Sequence, residues 1–375
     1  MKKNKPMTFV DLFCGCGGLS YGLERAGHEC LLGVDSDARA LESFAHNHPH
    51  SKTFLGDIRR LSSQKLSELI QNKTVDMIVG GPPCQGFSTV GAGKVNDERN
   101  MLFKEFVRVV KVLKPNVVLF ENVTGIVASK NQFVLKSIFK EFTKMGFTMQ
   151  ARILSAEEYG VPEKRRRAII IGVRNGEFNF PEITHGARGT FKTMTVKEVF
   201  RNLKSSSGEI LNHSKIAASQ MKAIDLKRLS FIPSGCGIRY EKDEKKYLPK
   251  KLWWGLNWNS LREKRFRQTR LQRLSWNKPS PTILTSRTSY YHPKENRYLT
   301  CREAAACQSF PNDFLFFGTE TSIFRQIGNA VPPLLAEKLG MAIKKIKWNQ
   351  KIKKEQTKFD FKKNAFDYKE STYVA

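Results

Sequence analysis

Five apolar runs in the first third of the chain stop abruptly, each at or beside a glycine, a proline pair or an acidic residue. They are MTFVDLF at 7–13, CLLGVD at 30–35, TFLGD at 53–57, VDMIVG at 75–80 and NVVLFE at 116–121. Helical patterns lie between them, at about 19–26, 37–47 and 100–113, with another at 131–145. Short continuous apolar runs alternating with helical segments read as strands buried on both faces of a parallel sheet. Residues 147–154 and 168–174 read as a closing strand pair, and 300–309 and 334–347 as later helices. The pattern predicts an α/β fold with a Rossmann-like, mostly parallel, doubly wound sheet. In such a sheet ligands sit outside the carboxyl ends of the strands. The residues that end the runs are therefore where chemistry is expected.

All five of these ends carry reactive or ligand-binding residue types. After the first run comes DLFCGCGG at 11–18, where Gly15, Gly17 and Gly18 make a tight turn into a helix. Glycines there let the backbone pass close to a ligand. Asp35 ends the second run and is placed for a ribose hydroxyl; Asp57 ends the third. Together these suggest a nucleoside-containing cofactor, and a dehydrogenase remains open at this point. The fourth run leads into GGPPCQGFS at 80–88. Two prolines hold Cys84 rigidly at a strand end, which suits a nucleophile more than a buried inert thiol. The fifth run ends in Glu121-Asn122-Val123, a carboxyl beside apolar residues; desolvation raises a carboxyl pKa and suits an acid that gives a proton near neutrality. Lastly, YGVPEKRRRAIIIGVR at 159–174 sets three arginines before a strand. Arg165 and Arg167 alternate to one face and Arg166 to the other. Guanidinium forks bind phosphate or carbonyl oxygen; the alternative is a solvated charge run.

Composition adds a partner. Hydrophobic residues are 40% and charged residues 26%, enough for a sizeable core. No run approaches the ~18–20 apolar residues of a membrane span, and the start lacks the long apolar core of a signal peptide. A cytoplasmic protein is expected. None of the seven cysteines forms a CxxC pair, and Cys14 and Cys16 read as small fillers, so neither a metal site nor a disulfide framework is expected. The net charge of +29 points to a polyanion. It is concentrated: residues 186–290 hold 23 basic against 7 acidic side chains. This sets off a smaller, irregular, basic domain at 185–290 and a basic tail at 349–375. Within the basic block, REKRFRQTRLQR at 262–273 interleaves Gln and Thr with Arg265, Arg267 and Arg270, as a DNA-facing segment would. Trp253, Trp254 and Trp258 read as the core of that block.

The order of these pieces resembles the cytosine-C5 DNA methyltransferases from residue 7 to about 340. DLFCGCGG, GGPPCQGFS, the ENV triplet, NDERNMLF at 96–103 and the arginine motif are similar to the family's blocks. YLTCREAAACQSFP at 298–311 and QIGNAVPP at 326–333 are similar to its last two. Glu163 departs from the glutamine often found there, in a position expected to face nucleic acid. The resemblance of the segments flanking the basic block implies a catalytic and cofactor-binding domain at 1–184 and a return to it at 291–348. The resemblance implies S-adenosyl-L-methionine as cofactor, with Phe13 on the adenine, Gly15 and Gly17 at the methionine end, Asp35 on the ribose and Asp57 on the adenine amino group. Leu102, Asn329 and Val331 would complete the pocket. It implies Cys84 as nucleophile toward cytosine C6, Glu121 on N3, Arg167 near O2 and Arg165 as a phosphate or loop contact. Gln85 and Ser88 would touch the opened strand, and the basic block would recognise the target in double-stranded DNA. A monomeric bacterial modification enzyme follows, paired functionally with a restriction endonuclease without a stable complex. Cys84 and Glu121 exclude the dehydrogenase and a catalytically dead relative. PPCQGFS, with the long basic block, argues against the family's tRNA-modifying branch.

Overall fold

The computed structural model describes residues 6–82, 98–128 and 132–348. Its centre is a seven-stranded sheet. The strands are β1 (Thr8–Leu12), β2 (Glu29–Asp35), β3 (Lys52–Leu55), β4 (Met77–Gly80), β5 (Val117–Val123) and β6 (Thr148–Ser155), with β8 (Arg166–Val173) after the short β7 (Glu163–Lys164). Their order is β3-β2-β1-β4-β5-β8-β6, and β8 alone runs antiparallel to its neighbours. The expected closing pair is present as β6 and β8.

Side-chain alternation explains why the runs are apolar at every position. Val10, Leu12, Ile78, Val118 and Phe120 point into one core. Phe9, Met77, Val79, Val117 and Leu119 point into the other. The first core is covered by α4 (Glu98–Leu113) and α5 (Gln132–Lys144), which follow α1 (Gly18–Arg25), α2 (Ala38–Asn47) and α3 (Ser63–Leu69) in the chain. The second is covered by α1, α2 and the late helix 333–344. Asp37 starts α2 by accepting from the backbone N–H groups of Arg39 and Ala40, at 3.0 and 3.2 Å.

Residues 176–299 are built from short pieces. These are β9 (Gly176–Glu177), α6 (Val196–Phe200), α7 (Lys215–Ala218), α8 (Ala223–Leu229), β10 (Ile238–Tyr240), α9 (Glu241–Tyr247), β11 (Arg265–Arg270) and β12 (Ser280–Pro281). Strands β10 and β11 form an antiparallel ribbon. Around it lies a separate apolar cluster of Leu229, Ile238, Trp258, Phe266 and Tyr291, with Trp253 and Trp254 packed against it. Arg273 pins this cluster from inside: it is buried and donates to the carbonyls of Leu229, Ile232, His292 and Glu295. Val196, Leu274 and Ile283, by contrast, pack with Ala304 and Phe310 of the returning chain. The apolar clusters therefore interlock across residues 185 and 290.

The return comprises α10 (Cys301–Cys307), α11 (Glu320–Asn329), α12 (Pro333–Lys344) and β13 (Lys347–Trp348), which pairs with β9. Helix α12 lies against α1 backbone to backbone. A Cβ on Gly22 would fall 2.2 Å from the Pro333 carbonyl oxygen, and one on Gly18 would fall 2.5 Å from that of Val331. Gly18 and Gly22 of α1 thus admit the returning chain.

Candidate active site

Strands β1, β2, β4 and β5 deliver their carboxyl ends to one cavity of about 390 Å³, a size typical of ligand sites. Its floor is the loop after β1. Phe13 is held at φ 64°, a conformation uncommon for a bulky residue and sustained by its surroundings. The Gly15 N–H donates to Asp35 Oδ2 at 2.7 Å, and the Asp37 N–H to Asp35 Oδ1 at 2.9 Å. Burial pushes the Asp35 carboxyl above its usual range. Asp11, which sequence reading placed only at the end of a strand, also lines the cavity. Its Oδ2 accepts from Ser20 Oγ at 2.6 Å, while its buried Oδ1 has no hydrogen-bond partner among the described residues. Burial raises the Asp11 carboxyl to about 7.

The opposite wall carries the ENV triplet. Glu121 Oε1 lies 2.6 Å from Arg167 Nε, both side chains being mostly buried. Asn122 Nδ2 donates to the Pro82 carbonyl at 3.0 Å, and its Oδ1 accepts from the Val123 N–H at 2.9 Å. This tethers the strand end to Gly81 and Pro82, which line the same cavity. Cys84, Gln85 and Ser88 lie outside the described residues.

The third wall comes from residues 325–331, with Asn329 and Val331 on the surface as expected. Arg325 Nη2 donates to Asp37 Oδ2 at 2.8 Å, and Gln326 Oε1 accepts from Ser43 Oγ at 2.7 Å. Both bonds clamp α11 onto α2. Arg325 and Gln326 were missed from sequence; their only signal was membership of the QIGNAVPP region.

Other expected residues stand elsewhere. Gly17, Asp57 and Leu102 are not on the cavity wall. Gly17 takes φ 92° and faces His48, so it serves the turn. Asp57 follows the edge strand β3 and is engaged by Arg59, whose hydrogen bonds hold its carboxyl below the usual range. Leu102 packs against the core beneath α4 and α5. The expectation for Arg165 is corrected: it is fully buried, and its Nη2 donates to the carbonyls of Gly328 and Ala330, both at 2.9 Å. No surface is left for phosphate. Glu163 likewise faces the interior. Cys14 and Cys16 are buried, and burial pushes the Cys16 thiol up to about 12.

A second cleft, of about 820 Å³, opens in the basic block. Arg267, Gln268, Thr269 and Arg270 of β11 line it, facing Leu284, Thr285 and Ser286. Arg265 is instead paired with Glu263 at 2.7 Å.

The model of the family described as C-5 cytosine-specific DNA methylase matches residues 7–345. The Type II methyltransferase M1.HphI of Haemophilus parahaemolyticus is 35% identical over 92% of this chain and 88% of its own. M.DdeI of Desulfomicrobium norvegicum is 33% identical over 90% and 88%. Among solved structures, a candidate DNA modification methyltransferase encoded within an E. coli prophage superposes with a TM-score of 0.63. It is 28% identical, covering 90% of this chain and 98% of that one. Spodoptera frugiperda DNMT2, 16% identical over 90% and 99%, shares the fold with a TM-score of 0.60. The chain belongs to the C-5 cytosine-specific DNA methylase family. It is an enzyme of that type, whose activity is methylation of DNA cytosine at C5. Among the described residues no helix is long and apolar enough to cross a membrane.

Proposed function

We propose that this chain, working in the cytoplasm, modifies one cytosine in a short duplex DNA sequence as the methylating partner of a restriction endonuclease. The base is flipped out, attacked at C6 by Cys84 and methylated from S-adenosyl-L-methionine. One observation carries this reading: the loop after β1, with Asp11 and Asp35 beside it, shares a single cavity with the Glu121–Arg167 pair and with Pro82, two residues before Cys84 in the sequence.

The residues fit that cofactor. Asp11, Asp35 and Asp37 line the cavity, and the unpartnered Oδ1 of Asp11 is an acceptor waiting for a donor such as an ammonium group. Phe13 offers a face to adenine. Each Asp35 oxygen keeps a lone pair for a ribose hydroxyl, and Asn329 and Val331 close the pocket. When bound, S-adenosylmethionine supplies an electrophilic methyl group.

The chain's own groups do the rest. Cytosine C5 is a poor nucleophile until a thiolate adds to C6, which breaks aromaticity and moves electron density to C5. Glu121 holds the N3 edge and stabilises its proton. Arg167, already fixed by Glu121, faces the O2 side where charge grows. After transfer, the C5 proton leaves to base, its electron pair re-forms the C5–C6 double bond, and Cys84 departs as thiolate. C6 is unreachable within a duplex, so the base must leave the stack, at a cost of a few kcal/mol. The test is incubation with methyl-labelled S-adenosylmethionine and unmethylated plasmid DNA, followed by sequencing for 5-methylcytosine. Label at one short motif is expected; label in tRNA alone, or none in DNA, overturns the reading.

The cleft along β11 then reads the duplex, and its residues separate into two groups. Arg267→Gln is expected to weaken DNA binding. A fall of ~0.9 in the slope of log affinity against log salt marks a phosphate contact; an unchanged slope with relaxed sequence choice marks a base contact. Arg265→Gln is expected to change less, because Glu263 already occupies that guanidinium. Binding by Arg267→Gln equal to wild type at every salt concentration would remove β11 from the interface.

A further inference from the structure

The two cavities are joined by a buried ion pair. Glu163 and Arg165 are both fully buried. Glu163 Oε1 accepts from the Ile283 N–H at 2.5 Å and lies 3.7 Å from Arg165 Nη1. Arg165 in turn grips the Gly328 and Ala330 carbonyls, on either side of the cavity residue Asn329. Ile283 belongs to a segment that begins at β12, which pairs with β7 at Ser280↔Glu163. Thr282 Oγ1 adds a bond to the Lys164 carbonyl at 2.7 Å. The next residues, Leu284 and Thr285, press their backbone on Gly328 and also line the β11 cleft. One strip of chain thus touches the DNA-side cleft, the ion pair and the cofactor-side wall. Among the described residues the pair is under-bonded: Glu163 Oε2 and Arg165 Nε and Nη1 are buried without hydrogen-bond partners there. Such a network has room to tighten when either cavity fills.

We propose that Glu163 is a positioning residue for methyl transfer: its carboxylate, acting through Ile283 and Arg165, couples occupancy of the β11 cleft to the geometry of the Gly328–Ala330 wall. This rests on the reading above, in which the cleft takes DNA and the cavity takes S-adenosylmethionine. The charge is what matters, because it sets the attraction to Arg165. Burial raises the Glu163 carboxyl to about 7. Arg165, Arg167 and Glu157 face it from its own stretch of chain, and Tyr290 and Cys307 from the elements packed against it.

The test uses the duplex whose site the methylation experiment maps. Affinity for S-adenosyl-L-homocysteine is measured with and without that duplex, at pH 8 and pH 6. Wild type is expected to bind the small molecule ~10-fold more tightly with duplex at pH 8, within the usual range of coupling, and less so at pH 6 as Glu163 takes up a proton. Glu163→Gln is expected to show little coupling at either pH, whatever pH dependence Asp11 gives to binding without duplex. It should fold: a carboxyl with a raised folded-state pKa loses stability as pH rises from about 4.5 through about 7. The neutral amide should therefore melt no lower than wild type at pH 8. Were that variant unfolded, Arg165→Lys, which lacks the second amino group that faces Glu163 while Nη2 holds the carbonyls, serves instead and should also lose coupling. Equal coupling in wild type and variant at pH 8, or wild-type coupling that ignores pH, overturns the proposal. A wild type that methylates no DNA overturns the underlying reading instead.

Discussion

A duplex carrying 5-fluorocytosine at the target position is expected to leave a covalent complex with the intact enzyme, and none with Cys84→Ala. Addition of the Cys84 thiolate to C6 and transfer of the methyl group to C5 proceed as with cytosine. The final elimination needs a proton at C5, and fluorine cannot leave as one, so the protein–DNA bond persists. Pro82 lines the cavity, and Cys84 follows two residues later, a span of at most ~7 Å of extended chain. The measurement is a denaturing gel with labelled duplex. A missing shifted band with the intact enzyme, or an equal one from the alanine variant, removes Cys84 from the mechanism. The same variant is expected to abolish methylation while retaining affinity for S-adenosylhomocysteine, since the cavity residues Asp35, Asn329 and Val331 are unchanged.

The second large effect is expected at Glu121. Glu121→Gln keeps the shape and one hydrogen bond to Arg167 but carries no proton to share with cytosine N3. Turnover should fall by ~10²–10⁴, the usual contribution of a single positioned acid. Cofactor and DNA affinity should stay within a few-fold of wild type. Single-turnover rates with saturating DNA and cofactor measure the effect directly. An unchanged rate would reduce Glu121 to a strut that holds Arg167 at 2.6 Å.

The sheet was legible because its strands are covered on both faces, so alternation disappears and continuous apolar runs remain. The same logic overreached at Asp57. Sequence gave it equal standing with Asp35, but β3 is an edge strand, and its end turns away from the cavity to meet Arg59. Helix α11 escaped notice, although its residues Arg325 and Gln326 form part of the wall. The short helices of the basic block likewise gave no periodic signal, each spanning seven residues or fewer. Arg165 and Glu163 were misjudged for a different reason. Three adjacent arginines look like a surface feature, yet the carbonyls that claim Arg165 lie more than 160 residues downstream. Local pattern cannot see partners at that distance; only the shared order of motifs hinted that the chain returns. The tryptophans read as core are core: Trp258 is buried, and Trp253 and Trp254 pack with it against Leu229, Ile238 and Phe266.

The way α12 lies against α1 has a consequence for how the enzyme comes into being in the cell. Ribosomes release the amino-terminal end first, so the sheet can assemble while the last third of the protein is still unmade. Residues 325–331 nevertheless form one side of the cavity, and they reach Gly18, with Pro333 following on Gly22, only after residues 185–290 have emerged. A product that ends before residue 325 therefore lacks one wall of the cavity. On the proposal that residues 185–290 choose the target, the methyl-donor site would be completed only after the part of the enzyme that confers selectivity has been made.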